Sequence, residues 1–288
     1  MQHKLFYYSP KYTLNFIGDF NNTGEVALNR RDIRNFSGGF RVPSSNSGTD
    51  ISLGNNNINF LTDQNNTLEI ESKLATANFS YSPPGALDLS GFQIYSSSRI
   101  LSRETSFIQY TDPAFGIPDE ATEQLGRERS EEGLLKLSIS FQPNFNNQLD
   151  YDVLARVSDD RQSQFITSSV LGNTTREDDF TPVSISQNLN YYYTLNENNI
   201  FALEAQHLVK DEDPFYNAIL TNDPNGVDSF DSTAESLGLD TTQGNYNFDQ
   251  NRRVKSNQLD AKLDYYNIIN KKSNLNLTFG VILSRQEF

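Results

Sequence analysis

Between Gly133 and Ser158 the chain alternates apolar and polar residues with a period of two, on both sides of one turn. Leu135, Leu137, Ile139 and Phe141 share one face of an extended strand, and Lys136, Ser138, Ser140 and Gln142 share the other. After the turn residues Pro143, Asn146 and Asn147, the pattern resumes. Leu149, Tyr151, Val153, Ala155 and Val157 alternate with Asp150, Asp152, Arg156 and Ser158, and only Leu154 is out of phase. The pattern specifies a β-hairpin whose two faces meet different surroundings.

Four further hairpins are expected. The first begins at residue 2, turns at Ser9 and Pro10, and puts Tyr12, Leu14, Phe16 and Phe20 on one face, with Ile17 as the exception. The second joins 68–82 to 87–98 across Pro83, Pro84 and Gly85. Its returning run, LSGFQIYSSS, barely distinguishes its faces. The fourth joins 183–194 to 200–209, and the fifth sets Leu259, Ala261, Leu263 and Tyr265 before an NKKS turn and Leu275, Leu277, Phe279, Val281 and Leu283 after it. The sum is about ten antiparallel strands in an all-β chain.

Composition fits strands of this kind. Only 36% of residues are hydrophobic and mean hydropathy is -0.60, which excludes a large oily interior, while aromatics reach 12%. A strand with one apolar face needs few apolar residues. Cysteine is absent, so no disulfide scaffold or thiolate metal site exists. No stretch reaches the length of an apolar membrane helix, and MQHKLFYYSPKY lacks the apolar core of a signal peptide. The net charge of -14 disfavours a phosphate-binding surface over the chain as a whole and makes nucleic acid an unexpected partner.

Within each hairpin the turn is a few residues, but polar segments much longer than ordinary connections, 21–67, 99–132, 159–182 and 210–255, separate the hairpins. Short turns at one end and long loops at the other are the habit of outer-membrane barrels, with periplasmic turns and extracellular loops. Tyr7, Tyr8, Tyr12, Tyr81, Phe141, Tyr151, Tyr191, Tyr193, Phe201, Tyr265 and Tyr266 gather beside the short turns, as an aromatic girdle would. Runs of roughly ten residues suffice to cross the apolar band. The rival is a soluble or cell-surface β-protein whose apolar stripes meet in a sandwich core.

Four segments carry a resemblance: YYSPKYTLNFIGDFNNTGEVA, QLDYDVLARVSD, PVSISQNLNYYYTLNENNIFALEAQHLVKDEDPFYNA and SNQLDAKLDYYNIINKKSNLNLTFG. They resemble the barrel of TonB-dependent receptors, in particular those with an N-terminal carboxypeptidase-like regulatory domain. The resemblance implies an antiparallel transmembrane β-barrel in the cell outer membrane, with outer-membrane lipid around it. It also implies uptake of a small scarce nutrient, driven by a TonB-type energy-coupling protein acting through a plug. Such barrels have about 22 strands. Residues 1–288 therefore read as a partial barrel domain, an internal piece without signal peptide, plug or the remaining strands. Phe288 is out of phase with the stripe from Leu275 to Leu283 and reads as an accident of truncation.

No catalytic motif, cofactor or metal is expected. His3 and His207 are the only imidazoles, and His207 lies near Asp211 without a nucleophile motif. Segments 99–132, 159–182 and 210–255 carry −4, −3 and −5 of the net charge. Their acidic runs at 211–213 and 222–231 match no established calcium loop and read as solvated surface. As part of a substrate entrance, Asp211, Glu212, Asp213 and Tyr216 are the expected contributors. A self-contained small outer-membrane barrel or a surface adhesin is the alternative function.

Overall fold

The computed structural model describes residues 2–22, 66–109, 119–222 and 230–288. Most of the expected connection 21–67 and of the acidic run 222–231 lies outside the described residues. The rest is one antiparallel sheet of 13 strands. Five hairpins make its continuous path: β1 (Gln2–Tyr8) with β2 (Tyr12–Asn21), β3 (Thr67–Tyr81) with β4 (Leu87–Ile108), and β5 (Glu120–Asn144) with β6 (Asn147–Ser168). The remaining two are β8 (Val183–Asn196) with β9 (Asn199–Glu212), and β12 (Val254–Asn270) with β13 (Ser273–Glu287). These are the ten expected strands, in sequence order, and β1 and β13 are the open edges.

Three strands occupy segments that read as connections. They are β7 (Gly172–Phe180), β10 (Phe215–Thr221) and β11 (Asn245–Asn251), accompanied by one short helix, α1 (Asp231–Ser236). Likewise β4 and β5 run on into 99–132, and β6 extends to Ser168. The expectation of long irregular loops is corrected there. Both faces of these upper strands carry polar and charged side chains, so the period that marks a half-apolar strand is missing.

Short turns are built alike. Asn144 Oδ1 accepts from Asn146 N at 2.9 Å, Asn196 Oδ1 from Asn198 N at 3.0 Å, and Asn270 Oδ1 from Lys272 N at 2.9 Å. In each case a side-chain amide closes the turn two residues on, replacing a backbone acceptor.

The register assigns faces without ambiguity, because residues directly opposite on antiparallel neighbours point to the same side. Leu137 pairs with Gly91 and Val153, Val153 with Gln187, Gln187 with His207, and His207 with Leu259. The same face carries Leu135, Ile139, Phe141, Leu189, Tyr191, Leu203, Leu263, Leu277 and Phe279, as expected. Gly91 is required in this row, since a Cβ there would come within 2.6 Å of the Lys136 carbonyl oxygen. Two aromatics depart from the expected girdle: Tyr8, opposite Thr13, and Tyr266, opposite Ile200, lie on the other face.

Burial separates the faces in the sense opposite to that of a water-soluble sheet. On the polar face Ile94 is 1% exposed and Leu74 and Thr76 are 2% exposed, whereas on the apolar face of interior strands Leu135 is 42% exposed and Leu263 is 41%. The polar face is therefore the concave one. Residues that break phase in the sequence gather on it: Ile17 opposes Thr76, Thr76 opposes Ile94, and Ile94 opposes Leu134. Phe92 and Leu154 sit in the next row, both opposite Lys136.

The strands are also staggered. Along one row of paired residues that crosses all ten strands of the path, Tyr7 is one residue from the short-turn end of β1, and Leu283 is ten residues from the short-turn end of β13. With the short turns at one level, a slip of about one residue per strand gives a tilt of about 35°, the inclination of barrel strands.

Candidate functional site

The concave wall is lined by hydroxyls, amides and carboxylates that mostly hold one another. Asp150 accepts from Ser140 Oγ at 2.6 Å and from Gln148 Nε2 at 2.7 Å, and Asp152 accepts from Ser138. Lys262 Nζ lies 3.4 Å from Glu204 and 3.2 Å from Asp264, which also accepts from Thr278. Higher up, Glu132 and Arg156 form a buried ion pair at 2.5 Å, at an angle that does not make it a hydrogen bond. The wall is thus largely polar and prearranged along β5, β6, β8, β9 and β12, because most of the alternate residues of those strands are hydrophilic, with Leu134, Leu154 and Leu208 among the exceptions.

Asp211, Glu212 and Asp213 stand where this wall is interrupted. Strand β7 is separated from β8 by Thr181 and Pro182, β9 from β10 by Asp213 and Pro214, and β11 from β12 by Arg252 and Arg253. The upper pieces pair in the same order as the lower ones, β7 with β10 and β10 with β11, so the three interruptions form one transverse line. Proline has no N–H to give a ladder, which ends the strands there. Its carbonyl still serves: Pro182 O accepts from Ser158 N at 3.1 Å and Pro214 O from Arg252 N at 3.2 Å.

Side chains pin this line. Arg253 donates Nε to Asp211 Oδ1 at 3.0 Å and Nη2 to Oδ2 at 2.8 Å, and Lys255 Nζ lies 3.9 Å away. The guanidinium holds the Asp211 carboxyl below its ordinary range. Thr181 Oγ1 donates to Asp213 Oδ1 at 2.5 Å. The expected entrance residues therefore do not converge. Glu212 turns to the face opposite that of Asp211, and Tyr216 lies on β10 in a concave row with Glu128, Gln162, Asp178 and Gln250. In that row burial, with Asp160 nearby, pushes the Glu128 carboxyl up.

Sequence reasoning missed Glu128, Gln162 and Asp178 as neighbours of Tyr216, because the register between β5, β6, β7 and β10 has no local signal. His207 is on the apolar face, where its ring bonds Gln187 at 3.3 Å and Asn257 at 3.0 Å rather than Asp211. Among the described residues no three His, Asp or Glu side chains are placed to hold a metal ion. No family model and no curated protein matches the chain.

Proposed function

We propose that the chain is part of the wall of an outer-membrane β-barrel, in a TonB-dependent importer that takes up a small scarce nutrient. One observation carries the membrane reading: on the inner strands the convex face is apolar and half-exposed or exposed, while the mostly polar concave face is the more buried of the two. In water such a face would drive aggregation, whereas lipid removes the penalty and a hydrated lumen satisfies the polar side. A sandwich would cover the apolar face with a second sheet. The stagger of the short turns supports a tilted barrel wall. Importer function rests on the four resembling segments, and the reading assigns no catalytic chemistry and no cofactor.

In this reading the upper tier of β7, β10 and β11 faces the outside of the cell, and the inner row around Tyr216 lines the entrance. The energy-coupling protein would act through a plug inside the polar wall. The test is growth on single limiting nutrients of the parent strain, of a strain lacking the coupling protein, and of one whose receptor lacks residues 222–244. That cut spares β10 and β11, so normal outer-membrane levels are expected together with loss of growth on one nutrient. Growth that is equal in all three strains on every nutrient would overturn import and favour a passive or adhesive surface barrel.

A further inference from the structure

Above the apolar band, β4, β5 and β6 sort their cationic side chains by face. Beyond Ser97, Gly133 and Val157, the arginines of these three strands are Arg99, Arg103, Arg127, Arg129 and Arg161, and all five have the parity of the convex face. Arg99, Arg129 and Arg161 are directly opposite one another in one cross-strand row. The concave face at that height instead carries Glu128, Glu132 and Asp160. The arginine row begins two rows beyond Tyr95, the last aromatic below it on that face of β4; Phe107 lies four rows above it on the same face. Strands are unbroken here, so its height over the band is fixed.

Three like charges side by side, with Cβ atoms about 5 Å apart, repel one another unless anions intervene. The carboxylates around it are half-exposed or exposed: two are on the same strand as their arginine, and the row itself ends on carboxylates, with Glu71 directly opposite Arg99 on β3 and Asp179 directly opposite Arg161 on β7. Arg129 donates to Glu131 at 3.1 Å through Nε, and Arg161 donates to Asp159 at 3.0 Å, each partner two residues away. Glu71 lies 3.9 Å from Arg99 and is held more closely by Lys73 at 2.9 Å, and Arg103 pairs with Glu123 at 2.7 Å. Arg127 is exposed and has no partner among the described residues. Solvent-exposed pairs of this kind contribute little and exchange readily. A phosphate brings more charge and three oxygens to a planar guanidinium fork, so it competes well for such a row.

We propose that this convex row, Arg99, Arg129 and Arg161 with Arg127 beside it, binds the phosphorylated headgroup of a lipid in the outer leaflet. The inference rests on the membrane reading above, since only a bilayer around the apolar band brings headgroup phosphates to this height. It reverses, for one surface, the exclusion of phosphate drawn from the chain's overall acidity.

The test uses the whole chain refolded into phosphatidylcholine vesicles carrying a minor fraction of a diphosphorylated glucosamine-disaccharide lipid, or of the same lipid dephosphorylated. Insertion is read separately, as protease protection of the lower strands in phosphatidylcholine alone. Lipid retained per protein after detergent extraction is expected to fall about tenfold in R99Q/R129Q/R161Q. It should rise in E131Q/D159N, which frees two of the guanidiniums, and the dephosphorylated lipid should be retained poorly by every variant. Equal retention by the wild type and the triple variant, with both inserted, overturns the proposal and leaves the membrane reading standing. Displacement of the lipid by inorganic phosphate at equal concentration also overturns it, since the row would then hold free anions. Failure of the chain to insert at all removes the membrane reading and the proposal with it.

Discussion

Two halves of one sheet solve the same problem differently. Strands β4, β5 and β6 run for 22, 25 and 22 residues from the short turns to the upper rim without a break. Beside them, the strands through β8, β9 and β12 stop at one level and restart as β7, β10 and β11. The unbroken half behaves as a ruler, fixing the height of every residue on it, including the arginine row. In the broken half backbone ladders end at Pro182 and Pro214, and the upper tier is joined to the lower one by a few carbonyls and by Asp211, Asp213, Thr181 and Arg253. Continuity places charges, and interruption makes an upper tier that can open locally without disturbing the wall below.

The largest effect belongs to the unbroken half. Glu132 is buried and Arg156 is its one cation in contact among the described residues, so Arg156→Leu leaves a carboxylate without its partner, at an expected cost of about 3–5 kcal/mol. Glu132→Leu/Arg156→Leu together should recover most of that. Urea unfolding of the micelle-embedded chain measures both. A single variant as stable as the parent would mean that this half is not held by its buried pair.

Next comes a comparison at matched depth. Leu137 and Leu189 are each seven residues from the short-turn end of their strands, one in each half. Arginine at either position should cost about 2–4 kcal/mol in a bilayer, while Ser138→Arg on the concave face should be tolerated. If Leu189→Arg is tolerated and Leu137→Arg is not, the lower tier of the broken half does not face lipid.

On a smaller scale, packing density separates an interior strand of the unbroken half from the open edge strand β13 beyond the broken one. A methyl group on Gly91 would meet the Lys136 carbonyl oxygen at 2.6 Å, Phe79 at 2.8 Å and Leu137 at 2.9 Å, whereas one on Gly280 would meet only Ala261 O, at 3.8 Å. Gly91→Ala should therefore cost about 1–3 kcal/mol, and Gly280→Ala should stay within about 0.5 kcal/mol. Equal thermal midpoints for the two variants would show that β3, β4 and β5 can spread to admit the methyl.

What the sequence made legible follows from the same division. Every strand with one apolar face was readable, since Leu135 to Phe141 or Leu275 to Leu283 announce a period of two. Ile17 and Leu154 break the period because they belong, with Phe92, Ile94 and Leu134, to two adjacent rows on the concave face that only the register brings together. The upper strands were opaque for another reason: around Arg127 and Arg129 both faces are hydrophilic, so no period marks the strand. Asp211 and Asp213 attracted attention through local acid density. Their partners, Arg253 and Thr181, are 42 and 32 residues away in sequence, and only the register brings them together.

The smallest effect concerns that pinned line. Because the Asp211 carboxyl titrates below its ordinary value, the Arg253 contact contributes in full above the unfolded value of 3.8 and is lost as pH falls through the lower folded one. Asp211→Asn removes the charge at every pH and imitates the acid state. At neutral pH it should speed hydrogen exchange severalfold at the amides of Arg252 and Phe215, and leave those of Val157 and Asp160 on unbroken β6 unchanged. Acidification should speed the same amides in the wild type, after correction for intrinsic exchange, and should add nothing in Asp211→Asn. Exchange that quickens equally in β6 would mean that the two tiers open together, and the broken half would then be no more independent than the wall beside it.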